Sequence, residues 1–357
     1  MAETQRPRVS LGEGRFLVTG GAGFIGCNFV HLVMERFPHA RVTVLDKLTY
    51  AGNPANLEPV RSDPRFRFVQ GDIADAAVVE PLLAEGYDYV LNFAAETHVD
   101  RSIGDPASFV KTDVFGVYTL LEAARRHPVG LFVQISTDEV YGEILGEPAT
   151  EESPLLPRNP YAASKAGGDR LAYSYWATYG VPVVVTRCSN NYGPYQYPEK
   201  LVPLFVTNAL EDQKLPVYGS GKNTRDWIHV RDHCGALLAI LEAGEVAGQL
   251  FNIGAGNELD VLAIADRLLR LTGKPKELLA HVVDRPGHNR RYALSSEKLR
   301  ARTGWSPAMP FEEGLAATVD WYRGHPEWWR PLKSGEFLEY YRRNYRFLPG
   351  TGSGESS

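Results

Sequence analysis

The sequence predicts an α/β fold, a doubly wound parallel sheet with a smaller mixed α/β lobe behind it. Three observations carry this. Over the first 190 residues, short apolar runs alternate with stretches of helical spacing, the rhythm of βαβ units. The first apolar run stops at a glycine-rich turn that opens a helix. Past Asn190 the rhythm breaks into a Pro-, Tyr- and Asn-rich segment followed by short strands, helices and turns. The expected organisation is an N-terminal tail (1–14), a nucleotide-binding unit (15–190), a mainly substrate-binding lobe with return segments to the first unit (191–348), and a disordered Gly/Ser tail (349–357).

Residues 16–19 read as a buried strand entering Gly20-Gly21-Ala22-Gly23-Phe24-Ile25-Gly26. The following helix carries Phe29, Val30, Leu32 and Val33 at apolar positions. Gly20 permits a tight turn, Gly23 lets backbone N–H groups approach a pyrophosphate, and Gly26 lets the helix pack close to the strand. This is the Rossmann-type dinucleotide fingerprint in its proper strand–turn–helix context. A second strand, residues 41–45, ends at Asp46. A carboxylate there accepts from ribose hydroxyls and repels a 2′-phosphate, so NAD is expected over NADP.

Residues 66–73 form a third strand ending in Gly71-Asp72-Ile73, and residues 87–95 a fourth. Helices are expected over 76–84 and 108–126, and a fifth strand over 131–136. Ligands of open α/β sheets sit at the carboxyl ends of the strands, which places Asp46, Asp72, Glu96, Asp138 and Glu139 on one edge. A helix is expected over 161–179 and a sixth strand over 181–187. Past the boundary, a helix is expected over 204–210, a turn over 217–221, and a helix over 232–241 that packs back on the nucleotide-binding unit. Trp321-Tyr322 and Trp328-Trp329 read as core.

Two motifs carry chemistry. Tyr161 and Lys165, four residues apart, share one helix face. A nearby ammonium favours a phenolate, so Lys165 is expected to draw the Tyr161 phenol down toward working pH, for proton transfer coupled to hydride movement. The second motif, Thr137-Asp138-Glu139, follows an apolar strand. Adjacent residues on a strand point oppositely, but just past its end both acids can face one ligand. An acid and a base beside a hydride site suit elimination of water from a transiently oxidised sugar, because a ketone acidifies the neighbouring C–H. Arg225, Arg285, Arg291 and Lys200 are candidates for an anionic substrate. His98 and His288 have no metal-like spacing, and no metal is expected.

Through these residues the chain resembles the nucleotide-sugar 4,6-dehydratases of the extended short-chain dehydrogenase/reductase superfamily. The matching stretches span nearly the whole chain: residues 19–26, 46–53, 71–73, 93–102, 136–142, 161–165, 187–196, 198–203, 225–227 and 284–288. The resemblance implies one tightly held, recycled NAD. Its expected contacts are Gly20, Gly23, Phe24, Ile25, Gly26, Asp46, Lys47, Thr49, Asp72, Ile73, Ala95, Tyr161, Lys165 and Asn190. It implies Tyr161 as the C4-hydroxyl base, tuned by Lys165, with Thr137 on the C4 oxygen, Glu139 as the C5 base and Asp138 as the acid at the C6 hydroxyl. It implies dTDP-glucose as substrate, met by Thr97, Asn191, Glu199, Lys200, Arg225 and Arg291, and a homodimer. Two positions depart from the family: Asp113 and Asn289 stand where Asn and Asp are common. A 4-epimerase or decarboxylase of the same superfamily, a dehydratase for UDP-, CDP- or GDP-sugars, and a non-enzymatic NAD-binding scaffold remain alternatives; the acid pair favours the dehydratase.

Bulk properties bound the rest. The 357 residues are 44% hydrophobic and 23% charged, with a formal net charge of −5, which argues against nucleic acid or an anionic membrane as partner. The N-terminus has no signal-like apolar segment, and no run is long enough to span a bilayer. Cys27, Cys188 and Cys234 have no metal-like spacing and read as reduced thiols of a cytoplasmic protein.

Overall fold

A computed structural model describes residues 9–345. Residues 1–8 of the expected N-terminal tail, and all of the expected 349–357 tail, lie outside the described residues. Leu11–Glu13 form a short helical turn with Leu11 buried, so the end of the expected tail is packed on the domain.

Twelve strands are present among the described residues: β1 Arg15–Thr19, β2 Arg41–Asp46, β3 Phe66–Gln70, β4 Tyr89–Asn92, β5 Leu131–Thr137, β6 Val183–Cys188, β7 Asn190–Tyr192, β8 Leu215–Tyr218, β9 Thr224–His229, β10 Leu250–Ile253, β11 Glu258–Asp260 and β12 Leu279–Val282. Seven of them form one parallel sheet in the order β10-β6-β5-β4-β1-β2-β3. The central strands are buried on both faces, which is why they read as continuous apolar runs. The winding reverses at β1, whose neighbours are β2 and β4, and this switch point opens a crevice at the strand ends.

Each face of the sheet is covered. Helices Phe24–Arg36 and Val230–Ala243 pack on one side, with Phe29, Val33, Leu237 and Ile240 fully buried. Helices Ala76–Ala84, Val117–Arg126 and Pro160–Tyr179 cover the other, burying Leu83, Leu120, Leu121 and Ala172. A separate core in the second lobe gathers Phe205, Trp227, Leu268, Tyr322 and Trp329, so the C-terminal aromatics are packing residues. That lobe carries a three-stranded sheet, β11-β9-β7, and a two-stranded one, β12-β8.

Several sequence expectations need correction. The sheet has a seventh strand: β10 comes from the second half of the chain and pairs with β6 at the edge. Residues 226–229 are the end of strand β9 and run directly into the helix Val230–Ala243. The expected 217–221 turn begins only after β8, at Gly219. The single helix expected over 108–126 is divided into Pro106–Val110, a wider π-helical turn Lys111–Gly116, and Val117–Arg126. Such turns insert a residue into the helix and often mark functional sites. Here the turn carries Asp113 inward, where it is buried against the helix Pro160–Tyr179. Gly168 permits this approach, since a Cβ there would lie 2.3 Å from the Asp113 carbonyl oxygen.

Candidate active site

A cavity of about 420 Å³ runs along the carboxyl ends of the strands and into the second lobe. Asp46, Asp72, Glu96, Asp138 and Glu139 all line it, so the polar residues at the ends of four strands, β2 to β5, share one space.

One end is built by the glycine loop. Gly20 sits at φ 67, and a Cβ there would lie 2.5 Å from the Ala94 amide nitrogen. At Gly26 a Cβ would lie 2.4 Å from the Gly20 carbonyl oxygen. Helix Phe24–Arg36 starts directly after Gly23, so its first-turn N–H groups, which have no intrahelical acceptor, face the cavity end. The Asp46 carboxylate accepts from Ala22 N at 2.9 Å and Leu48 N at 2.8 Å. Burial pushes its pKa up while those two N–H groups pull it back. Each oxygen retains a lone pair for a further donor. Lys47 is ion-paired to Asp72 at 2.8 Å. Burial raises the Asp72 pKa, but Lys47 and the Ala74 N–H outweigh it, leaving Asp72 below the usual range. The donor set and the backbone cradle fit a dinucleotide with free ribose hydroxyls.

In the middle, β5 ends at Thr137 and the chain turns through one short helical turn, Asp138–Tyr141. Thr137 Oγ1 accepts from Glu139 N at 3.2 Å and donates to Asp138 Oδ1 at 3.2 Å. This turn is what brings two adjacent acids to one cavity. Their surroundings differ. Asp138 is 3% exposed, and its Oδ2 has no partner. Burial, then the neighbouring Glu139 charge, pushes its pKa well up, so it holds its proton. Glu139 Oε2 accepts from Asn159 Nδ2 at 3.3 Å and Tyr292 Oη at 3.1 Å. Asn159 also caps helix Pro160–Tyr179 by accepting from Ala162 N at 2.8 Å, so the cap that starts the catalytic helix also steadies the base.

Tyr161 and Lys165 lie one turn apart on that helix, and both line the cavity. Lys165 Nζ donates to the Ile135 carbonyl at 2.8 Å. The expectation that Lys165 draws the phenol down is corrected here. Burial pushes the Tyr161 pKa well up, the charges of Glu139, Cys188 and Asp113 add to the rise, and a hydrogen bond with Thr137 opposes it. Asp113 was flagged in the sequence only as a departure. Its carboxyl accepts from Ser164 Oγ at 2.6 Å and Glu96 N at 3.0 Å, and burial lifts its pKa to about 6 against the pull of Lys165.

The far end is cationic. Arg225 is 6% exposed, stacks on Tyr292 with its guanidinium carbon 4.4 Å from the ring centroid, and donates to the Thr224 and Asn289 carbonyls. Burial lowers its pKa, and no carboxylate among the described residues pairs with it. Lys200 Nζ donates to Thr97 Oγ1 at 3.0 Å. Glu199 lines the cavity but is held by Tyr50 Oη at 2.6 Å and Arg101 Nε at 3.1 Å. Asn191 also lines it, with its side chain tied to the Ser189 carbonyl and to His233. Phe24, Ile25, Thr49, Ile73, Ala95, Thr97 and Asn190 are all lining residues.

Arg291 is the one expected site residue that the structure places elsewhere. Glu258 holds it bidentately at 2.6 and 2.7 Å, and it donates to the Ile144 and Gly146 carbonyls, so it braces β11 against the segment after Gly142 and does not line the cavity. Lining residues missed in the sequence include Tyr218, Asn223 and Tyr345; His98, considered in the sequence and set aside, also lines the cavity. His98, at φ 85, is held by Tyr340; its backbone conformation leaves no local sequence signal.

A family model described as GDP-mannose 4,6 dehydratase matches residues 17–318. The dTDP-glucose 4,6-dehydratase of Streptomyces niveus is 53% identical over 324 residues, covering 90% of this chain and 96% of that protein. The enzyme of the same name from Mycobacterium tuberculosis is 47% identical over 333 residues, 92% of this chain and 99% of that one. Among solved structures, the dTDP-glucose 4,6-dehydratase of Streptomyces venezuelae with NAD and dTDP bound superimposes with a TM-score of 0.87 at 51% identity, covering 89% of this chain and 100% of that chain. A UDP-glucose 4-epimerase of Thermotoga maritima gives 0.81 at 31% identity, covering 87% and 99%.

Proposed function

We propose a redox-neutral dehydration for this chain, which belongs to the GDP-mannose 4,6 dehydratase family: conversion of dTDP-glucose to dTDP-4-keto-6-deoxyglucose and water. The observation that carries it is the pair Asp138 and Glu139, one buried acid and one hydrogen-bonded base, in the same cavity as Tyr161 and Lys165. A 4-epimerase has no step that needs such a pair, and three relatives 50–53% identical to this chain are named dTDP-glucose 4,6-dehydratase.

NAD, when bound, supplies the acceptor for hydride from C4 and the donor that returns it at C6. The glycine loop with Phe24 and Ile25 would hold its pyrophosphate, Asp46 a ribose, and Lys47, Thr49, Asp72 and Ile73 the adenosine end. Ala95, Asn190, Tyr161 and Lys165 would hold the nicotinamide half. The chain's own residues move the protons. To take the C4 hydroxyl proton Tyr161 must act as the phenolate, a form that burial opposes and that the Lys165 ammonium and a bound cationic nicotinamide would favour; Thr137 would hydrogen-bond the same oxygen. The resulting ketone acidifies C5, and Glu139 removes that proton. The C5–H electron pair becomes the C5–C6 double bond as the C6–O bond breaks, and Asp138 gives its proton to the departing hydroxyl, completing water. Reduction at C6 is matched by a proton from Glu139 to C5, and C4 remains a ketone. Arg225, with no carboxylate to neutralise it, and Lys200 would take the diphosphate.

A homodimer is also proposed. Val110, Phe115 and Tyr118 are exposed, as are Tyr173 and Tyr179 on the neighbouring helix. Light scattering on the purified chain tests it. Three buried free thiols support placement in a reducing compartment, and no helix of the described residues is long and apolar enough to cross a membrane.

The deciding experiment uses dTDP-glucose deuterated at C4, in ordinary water without added reductant. The expected product is the 4-keto-6-deoxy sugar with deuterium at C6. Recovery of the C4 epimer, or no conversion, defeats the proposal.

A further inference from the structure

We propose that His233 is a positioning residue for the sugar nucleotide: its ring N–H fixes which way the Asn191 amide faces, so that Asn191 offers an N–H, and not its carbonyl oxygen, to an acceptor oxygen of the bound substrate. The inference rests on the substrate reading above.

His233 lies on the helix Val230–Ala243, which covers one face of the sheet, and it is fully buried. The proton transfers described above make no use of it. Burial lowers its pKa to about 3, so the ring is neutral and carries one N–H. Its Nδ1 lies 2.9 Å from Asn191 Oδ1, and its Nε2 has no partner among the described residues. Leaving a buried polar atom unpaired costs about 1–3 kcal/mol. An apolar side chain of similar size would avoid that cost, so packing alone does not account for the ring.

The hydrogen bonds leave one arrangement. Asn191 Nδ2 donates to the Ser189 carbonyl at 2.9 Å. A carbonyl only accepts, so the amide NH2 lies on that side and Oδ1 faces His233. Oδ1 also only accepts, so the His233 proton sits on Nδ1 and the lone pair on Nε2. A half-turn of the amide would set its NH2 against the ring N–H and its oxygen against the Ser189 carbonyl. The backbone is held as well: Gln196 Nε2 donates to the Asn191 carbonyl at 2.9 Å, and β7 pairs with β9. In the observed arrangement Nδ2 keeps a second proton to give, and Asn191 lines the cavity. A phosphate oxygen can only accept, so a flipped amide would oppose it, oxygen to oxygen.

The test compares the unaltered chain with His233→Asn and His233→Gln, each alone and combined with Asn191→Ala, in steady-state kinetics with dTDP-glucose. Conversion by the unaltered chain is read first, because its absence would strike the functional reading and not this assignment. An Asn side chain places its NH2 near the position of Nδ1 and a Gln side chain near that of Nε2, so only the first can replace the lost donor. His233→Asn is expected to keep KM within about threefold and His233→Gln to raise it about tenfold. Both should leave kcat within about threefold, since a contact made equally before and during the reaction changes KM alone. In the Asn191→Ala background, His233→Gln should add less than about twofold, because no amide is left to orient. The inference is overturned if the two variants behave alike, if kcat falls while KM holds, or if His233→Gln keeps its full effect without the Asn191 amide. A rise in KM that follows a matching fall in melting temperature would also overturn it, marking the ring as structural.

Discussion

Replacing Asp138 with Asn isolates the acid of the elimination. The amide is nearly isosteric and its oxygen can still accept from Thr137, so the turn that aims Glu139 is retained. What disappears is a transferable proton. A positioned general acid contributes about 10²–10⁴ in rate, or about 3–5 kcal/mol of barrier. The structure puts the loss toward the upper part of that range. The carboxyl is only 3% exposed, so solvent has little access to deputise. We expect loss of water to fall at least about 10³-fold while the C4-oxidised sugar accumulates, read by rapid quench and mass spectrometry. A substrate with fluorine in place of the C6 hydroxyl adds a decisive arm, since fluoride leaves without being protonated. Asp138→Asn should turn over this analogue at a rate near that of the unaltered chain. A loss below about tenfold on dTDP-glucose, or an equal loss on the fluoro analogue, would refute the assignment of Asp138 as the acid.

Three further outcomes follow from the same structure. Asp113, whose pKa is raised to about 6 by burial, binds its proton more tightly folded than unfolded, so its contribution to stability is lost as pH rises from about 4 through 6. Asp113→Asn should therefore be more stable than the unaltered chain at pH 8, by up to about 3 kcal/mol, with the difference closing near pH 4 in urea titrations; a constant difference across that range contradicts the reasoning. Asp169→Asn would weaken the partner of Arg187, which is 1% exposed and paired to Asp169 at 2.7 Å, at a cost of about 3–5 kcal/mol measured by denaturant midpoint; a change under about 1 kcal/mol would show the pair idle. Arg291→Lys should leave KM for dTDP-glucose within about twofold while lowering the melting temperature, and a large KM effect with unchanged melting would return Arg291 to the substrate site.

What was legible in the sequence tracks what is local. The glycine loop, the six apolar strands and the Tyr161–Lys165 spacing are short-range patterns, and they appear in the structure as read. Asp138 and Glu139 were legible as a pair, but the contrast between them, one buried with an unpartnered oxygen and the other hydrogen-bonded by Asn159 and Tyr292, comes from tertiary packing. Strand β10 has only four residues, and its pairing with β6 spans more than 60 positions, so nothing nearby signals it. The expected pull of Lys165 on Tyr161 failed for a similar reason. The helix spacing gives their proximity, whereas burial of the phenol and the inward turn of Asp113 are tertiary facts.

The misplacement of Arg291 shows which further fact would have helped. Before folding, Arg225, Arg291, Glu199 and Lys200 are equivalent candidates, being charged residues in plausible motifs. Burying an ion costs several kcal/mol unless something compensates it, so a folded chain either pairs a buried charge or leaves that task to a ligand. Arg291 has Glu258, Glu199 has Arg101, and Arg187 has Asp169; these charges are matched within the protein and support the fold. Arg225 and Lys200 have no carboxylate within ion-pair reach among the described residues, and the Asp138 Oδ2 has no hydrogen-bond partner. These unmatched groups lie in one cavity, cations at one end and the acid at its centre, and a sugar joined to a diphosphate supplies an anion for the first and a leaving hydroxyl for the second.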